Sequence, residues 1–169
     1  VSGLAGFDFA GNEADYPTHV LTDTVDYAKR LGVPLTLHAG ECHCVQNIRE
    51  AIALGVKRIG HATALHDHPE AIAEFVQANA LAELCLTSNL QTKATESYAD
   101  YPYPELMAAH ARICINTDNR TVSQTDLTRE YQLFAEHFGT RVADFLQFNR
   151  DACAGSFQSE AAKARLDHR

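Results

Sequence analysis

His38 and Glu41 stand three residues apart in the stretch PLTLHAGECHC, with only Ala39 and Gly40 between them. An apolar run leads up to the pair, so two titratable side chains sit where a buried strand should end. A neutral imidazole at a strand terminus is a rigid donor for zinc. The small Ala39-Gly40 spacer lets the backbone turn sharply, which brings Glu41 back toward the same space. One group could then hold a metal while the other moves a proton. Taken alone, a histidine at a strand end is more often a satisfied structural residue than a ligand.

The other strand ends change that weighting. Apolar runs recur at 3–9, 34–37, 58–60, 82–86 and 112–116, and they lead into DFAGNE, HAGE, GHAT, TSN and NTDN. His61 ends the third run, in RIGHAT. Asp118 follows the fifth, in ICINTDN, where Cys114, Asn116 and Asp118 share one strand face on a period of two. A carboxylate buried there needs a cation or a donor. Capping a helix is the competing use of Asp118, although Ser123 and Thr125 offer caps nearer the helix that follows. Cys42, His43 and Cys44 are too closely spaced for a C-x-x-C metal site and read as loop and helix-start residues. His66 and His68 read as exposed residues leading into a helix at Pro69, without function.

The elements that must position these groups follow from periodicity. Val20, Thr24, Tyr27 and Ala28 line one helical face that closes at Leu31. Ile48, Ile52 and Leu54 line a second, and Ile72, Phe75 and Val76 a third. Gly32 and Gly55 fall where helix ends need a left-handed residue. Strands alternating with helices every 25–30 residues or so, roughly the βαβ repeat, predict a parallel sheet. The near-continuous apolar character of the strands predicts cover on both faces. Beyond Thr125 the spacing predicts helices over 127–138, 141–150 and 158–166. In parallel α/β folds ligands bind beyond the carboxyl ends of the strands, where all five polar clusters stand. A closed eight-stranded barrel takes about 250 residues. Five strands in 169 residues therefore form an open sheet or part of a barrel.

With 46% hydrophobic and 21% charged residues, the chain reads as a single domain, 1–169, with its own core. A net charge of -8 without a basic stripe argues against a nucleic-acid partner. No apolar run reaches the roughly 18 residues of a membrane span. There is no basic, then apolar, leader, and the opening VSGLAGFDFAG reads as a strand already under way, as in a segment of something longer. Five cysteines (Cys42, Cys44, Cys85, Cys114 and Cys153) are an odd number, which predicts reduced thiols and a cytoplasmic location.

Taken together, FDFAGNE, LTLHAGE, RIGHAT, ELCLTSNLQT and ICINTDN, in this order and spacing, resemble the adenosine deaminase family, particularly its bacterial members. The resemblance covers nearly the whole chain and corresponds to the fourth to eighth strands of that family's barrel. It implies an α/β fold: a partial TIM (β/α)8 barrel of about the last five parallel strands with their helices, plus C-terminal helices. It further implies a Zn2+ cofactor, with His38 and Asp118 as metal ligands. Glu41 matches the proton donor to purine N1, and His61 the histidine that orients and helps deprotonate the metal-bound water. Asp118 shares in holding the water's proton. Gly11 matches the glycine whose backbone contacts the purine, and Asn119 stands where many members have an aspartate touching N7. The implied reaction is hydrolytic deamination of adenosine, and of 2'-deoxyadenosine, to the inosine product and ammonia by a zinc-bound hydroxide. The implied partner is a small-molecule purine nucleoside.

Three departures stand out. The family takes two further zinc histidines from an H-x-H at its first strand, and no such pair stands in a strand-like run of this chain, its one H-x-H (His66-Asp67-His68) leading instead into the helix at Pro69. Two of four protein ligands are too few for a tight site, so the chain by itself should be inactive. Asn119 replaces an acid, but N7 is only an acceptor and an amide NH2 can donate to it. Ala62 replaces the commoner glycine of RIGHG and should tighten the pocket by one methyl. Two other readings remain open. One is an adenine or modified-nucleoside deaminase of the same superfamily, whose adenine-specific members tend to carry an aspartate where Gly60 stands. The other is a non-catalytic half-barrel module, whose open edges predict self-association or pairing with an N-terminal segment.

Overall fold

The computed structural model describes residues 3–167. Five strands form one sheet: β1 (Phe7–Phe9), β2 (Leu35–Ala39), β3 (Arg58–His61), β4 (Leu81–Leu84) and β5 (Arg112–Ile115). Every neighbouring pair is parallel, and the spatial order equals the chain order. A doubly wound sheet reverses direction at a switch point. Here each crossover steps to the next strand in the same sense, which is the winding of a barrel wall. The crossovers run through α1 (Thr22–Arg30), α2 (Val45–Ala53), α3 (Pro69–Gln77), and the short pair α4 (Leu86–Gln91) and α5 (Tyr103–Ala108). After β5 come α6 (Arg120–Ser123), α7 (Leu127–Phe138), α8 (Val142–Gly155) and α9 (Glu160–Asp167).

From β2 to β5 the apolar runs are buried as expected: Leu35, Leu37, Ile59, Leu81, Leu84, Ile113 and Ile115 all lie in the core. All but Leu81 share one cluster with Val25, Ile48, Ala51, Ile72, Phe75 and Leu106 of the helices. Each large aliphatic side chain so buried contributes about 1.5–3 kcal/mol. Two-sided cover fails at β1, which among the described residues is an outer strand paired only with β2, and where Phe7 is 54% exposed.

The face predicted for the first helix is also corrected. Val25 and Ala28 are the buried residues of α1, whereas Val20, Thr24, Tyr27 and Leu31 are exposed. Val20 lies in a 3-10 turn, Thr18–Leu21, ahead of the α-helix. The stripe that meets the core is the neighbouring one, Leu21, Val25 and Ala28, with Leu21 partly buried. In α3, Ile72 and Phe75 are buried but Val76 sits exposed at the edge of the face. Gly32 and Gly55 do end α1 and α2 in left-handed conformations.

Helix α7 matches its predicted span, and the two that follow are found as Val142–Gly155 and Glu160–Asp167. Helices α4, α5 and α6 have six, six and four residues, too short to register as periodicity. Neither Ser123 nor Thr125 caps α7. Asp126 does, its carboxylate accepting from the Arg129 N–H at 2.8 Å. Asp126→Ala should lower stability by about 1 kcal/mol in urea unfolding of the chain. An unchanged midpoint would show that water serves that helix end equally well. Among the described residues no helix is long and apolar enough to cross a membrane.

Candidate active site

The parallel register sets His38 beside Gly60 and Ala39 beside His61. At Gly60 a Cβ would lie 3.4 Å from His38 Nδ1, so the imidazole occupies the ground that a β3 side chain would share. By alternation the residue after Gly60 should point to the other face. Instead His61 adopts φ 66, outside extended geometry, and its ring comes to 4.7 Å from that of His38. Ala62 follows at φ 54 and Asp118 also has φ 54. Left-handed non-glycine residues cost about 1–3 kcal/mol each and concentrate where structure serves a site.

Between His38 and Glu41 the chain turns at Gly40, φ 89. The turn is held by Glu13, a buried carboxylate from the loop after β1. It accepts from the backbone N–H of Gly40 at 2.7 Å, the N–H of Glu41 at 2.9 Å and Asn47 Nδ2 at 3.0 Å. This clamp aims the Glu41 side chain back across the strand ends. Its Oε2 lies 3.5 Å from His61 Nε2, and its Oε1 accepts from the Thr92 hydroxyl at 3.3 Å. A methyl at Gly40 would sit 2.6 Å from Ile48 Cδ1, in a fully buried side chain, and 3.3 Å from Ala64 Cβ. Gly40→Ala should therefore cost about 2–4 kcal/mol, from left-handed strain plus overpacking. Thermal unfolding would read that loss, and an unshifted midpoint would refute it.

Each remaining polar group has a partner that fixes it. His38 Nδ1 lies 3.0 Å from Asp8 Oδ1. The Asp8 hydrogen bond raises the His38 pKa against the opposing effect of burial. With its Nδ1 proton given to Asp8, the ring offers the Nε2 lone pair outward, the arrangement that orients a metal-binding histidine. His61 is 2% exposed, and burial pushes its pKa below the ordinary value, against the pull of Glu41. Its Nδ1 is 2.8 Å from Asn89 Nδ2, and Asn89 Oδ1 accepts from the Tyr101 hydroxyl at 3.2 Å.

Asp118 is not on the strand face with Cys114 and Asn116, as the period of two suggested. β5 ends at Ile115, and the left-handed Asp118 lies beyond it, exposed, with Oδ2 accepting from Ser88 Oγ at 2.6 Å. Its charge adds a small upward pull at both His38 and His61, which at His61 burial outweighs. Asn119, rather than Asp118, caps α6: its Oδ1 accepts from the Val122 N–H at 3.1 Å, which leaves Nδ2 as the outward donor.

Gly11 is exposed on the shared rim of two cavities. One, about 190 Å³, is lined by Asn12, Glu13, Glu41, Cys42 and Thr92. The other, about 320 Å³, is lined by Phe9, Tyr16, Leu21 and His38 among others. Ala62 lines neither, being fully buried in the core, so its methyl does not narrow them. His66 is also not the exposed residue expected. Its side chain is 30% exposed and its Nδ1 pairs with Glu105 Oε2 at 3.0 Å, tying the loop before α3 to α5. His68 is exposed, and Cys44 immediately precedes α2.

His38 Nε2 and the second oxygen of Asp118 fit zinc in kind, one anchored imidazole nitrogen and one carboxylate oxygen. They are two donors short of a four-coordinate site. Asp8, Glu13, Ser88, Asn89, Thr92 and Tyr101 escaped the sequence reading. DFAGNE and TSN marked where four of them lie, but not what they hold.

The family model described as Adenosine deaminase matches residues 2–169. The chain is 60% identical over 163 residues to an adenosine deaminase of Streptococcus mutans, covering 96% of this chain and 47% of that protein. It is similar in structure to an adenine deaminase from Arthrobacter aurescens, TM-score 0.89 at 24% identity, over 97% of this chain and 50% of that one. It is similar also to an amidohydrolase of Burkholderia ambifaria solved with bound Zn, TM-score 0.89 at 23% identity, over 99% and 48%. At those identities the two structures speak for the fold, a partial TIM barrel. The chain spans about half the length of the curated relatives it matches and corresponds to their C-terminal portion.

Proposed function

Because the chain belongs to the adenosine deaminase family, we propose that it is the purine-binding and proton-handling part of an enzyme that hydrolyses adenosine, and 2'-deoxyadenosine, to the inosine product and ammonia. The observation that carries this is the Glu41 carboxylate, held between the Thr92 hydroxyl and buried His61 at the rim of an open cavity. Glu41 protonates purine N1, which lets the ring accept the electron pair of the nucleophile at C6. The Gly11 backbone lies along the purine, and Asn119 Nδ2 donates to N7, an acceptor that needs no proton from the protein. His38 and Asp118 are the residues that would hold zinc. Bound zinc supplies a water molecule whose pKa falls to about 7.

With two of four protein donors, the chain alone turns over no adenosine. The exposed outer strand β1, with Phe7 at its edge, is the surface that pairs with an N-terminal segment or with a second copy. The absence of a side chain at Gly60 beside His38 favours the nucleoside over free adenine. The cytoplasm, where thiols stay reduced, suits five free cysteines.

The test joins this chain to the N-terminal half of the Streptococcus mutans relative and follows adenosine absorbance with zinc present. Turnover in the chimera and none in the chain alone is expected. A chimera that folds and binds zinc yet leaves adenosine intact would overturn the assignment. Faster turnover of adenine or a modified nucleoside would move it to another substrate.

A further inference from the structure

The buried hydrogen bonds behind His61 decide which of its ring nitrogens carries the proton. His61, Asn89 and Tyr101 are 2%, 0% and 0% exposed, so none can turn to water for a partner. A buried hydroxyl must give its proton to an acceptor or lose the interaction outright. Burial raises the Tyr101 pKa well above the ordinary value, which keeps the phenol protonated, and Asn89 Oδ1 is the acceptor within its reach. The phenol proton therefore goes to Asn89 Oδ1, 3.2 Å away. That places the NH2 end of the same amide 2.8 Å from His61 Nδ1. An NH2 group only donates, so Nδ1 must accept, and the single proton of the neutral ring sits on Nε2.

A second contact, made on the other side of the ring, agrees with this while Glu41 is ionised. His61 Nε2 faces Glu41 Oε2 at 3.5 Å. A proton on Nε2 points at that carboxylate, whereas the alternative tautomer would set a lone pair against it. The reversed amide would turn its NH2 to the phenol, leaving the Tyr101 proton without an acceptor. Its carbonyl would draw the proton to Nδ1 and leave the Nε2 lone pair facing Glu41.

We infer that Asn89 and Tyr101 are positioning residues that lock neutral His61 with its proton on Nε2, so that it presents an N–H, not a lone pair, to the space shared with Glu41. The lock itself stands apart from the proposed reaction. Its consequence rests on that reading: resting His61 holds and orients by donating through Nε2. The share in deprotonation that the family resemblance gives to His61 is then removed.

The test needs no turnover. The full chain, labelled with 15N in its histidines, is observed by long-range proton–nitrogen correlation at about pH 8, above the ordinary histidine range near 6.5. The His61 signals are assigned by their loss in His61→Gln. A protonated Nε2 and an unprotonated Nδ1 are expected. Asn89→Asp, which sets only acceptor oxygens against Nδ1, should protonate that nitrogen. Tyr101→Phe, which frees the amide to turn over, should give a mixture of both tautomers and serves if the first variant does not fold. A proton on Nδ1 in the unmodified chain would overturn the inference, as would a pattern unchanged in the folded variants. A chimera without deaminase activity would leave these spectra untouched, so the two failures are distinguishable.

Discussion

Glu13→Leu should destabilise the chain by about 3 kcal/mol or more, because it strands two buried donors and one half-buried donor, each worth about 1–3 kcal/mol when unsatisfied. Those donors are the N–H groups of Gly40 and Glu41 and the Asn47 side-chain amide. Removing a buried charge gives something back, but the three donors meet that charge at 3.0 Å or less and stabilise it where it is. A domain's whole stability is about 5–15 kcal/mol, so the loss would be plain in a urea titration followed by circular dichroism. Glu13→Gln keeps one acceptor oxygen and should fall between. Equal midpoints for leucine and glutamate would mean that the turn does not depend on this clamp.

The second large effect is on chemistry. In the chimera carrying the full set of zinc donors, Glu41→Gln should lower kcat by about 10²–10⁴-fold, the usual worth of a positioned general acid. Glutamine keeps the volume and can still meet Thr92, but it has no proton to release to N1. Substrate affinity should change only a few-fold, since the cavity wall is preserved. Activity within tenfold of the parent would remove Glu41 from the role of proton donor. A parallel loss of affinity would assign it to binding.

The βα alternation was readable because strands buried on both faces become apolar runs. Gly32 and Gly55 punctuate the helices between them for a local steric reason. The same logic failed where locality fails. On α1 and the turn before it the apolar Val20, Tyr27 and Leu31 face outward while Leu21, Val25 and Ala28 face the core, a choice between two adjacent stripes that spacing alone does not make. Asp118 was placed on a strand that ends three residues earlier. Helices of four to six residues left no pattern at all.

The chemical kinds present at the strand ends were fixed by the order of residues: an imidazole and a carboxylate around Gly40, a second imidazole at 61, an acid at 118. What orients them came only from the fold. Asp8 meets His38 across 30 positions, Glu13 meets the turn at 40 across 27, and Asn89 meets His61 across 28. Parallel crossovers return the chain to the same end of the sheet after each helix. Side chains distant in sequence thus become hydrogen-bond partners there, and no local periodicity records which of them will meet.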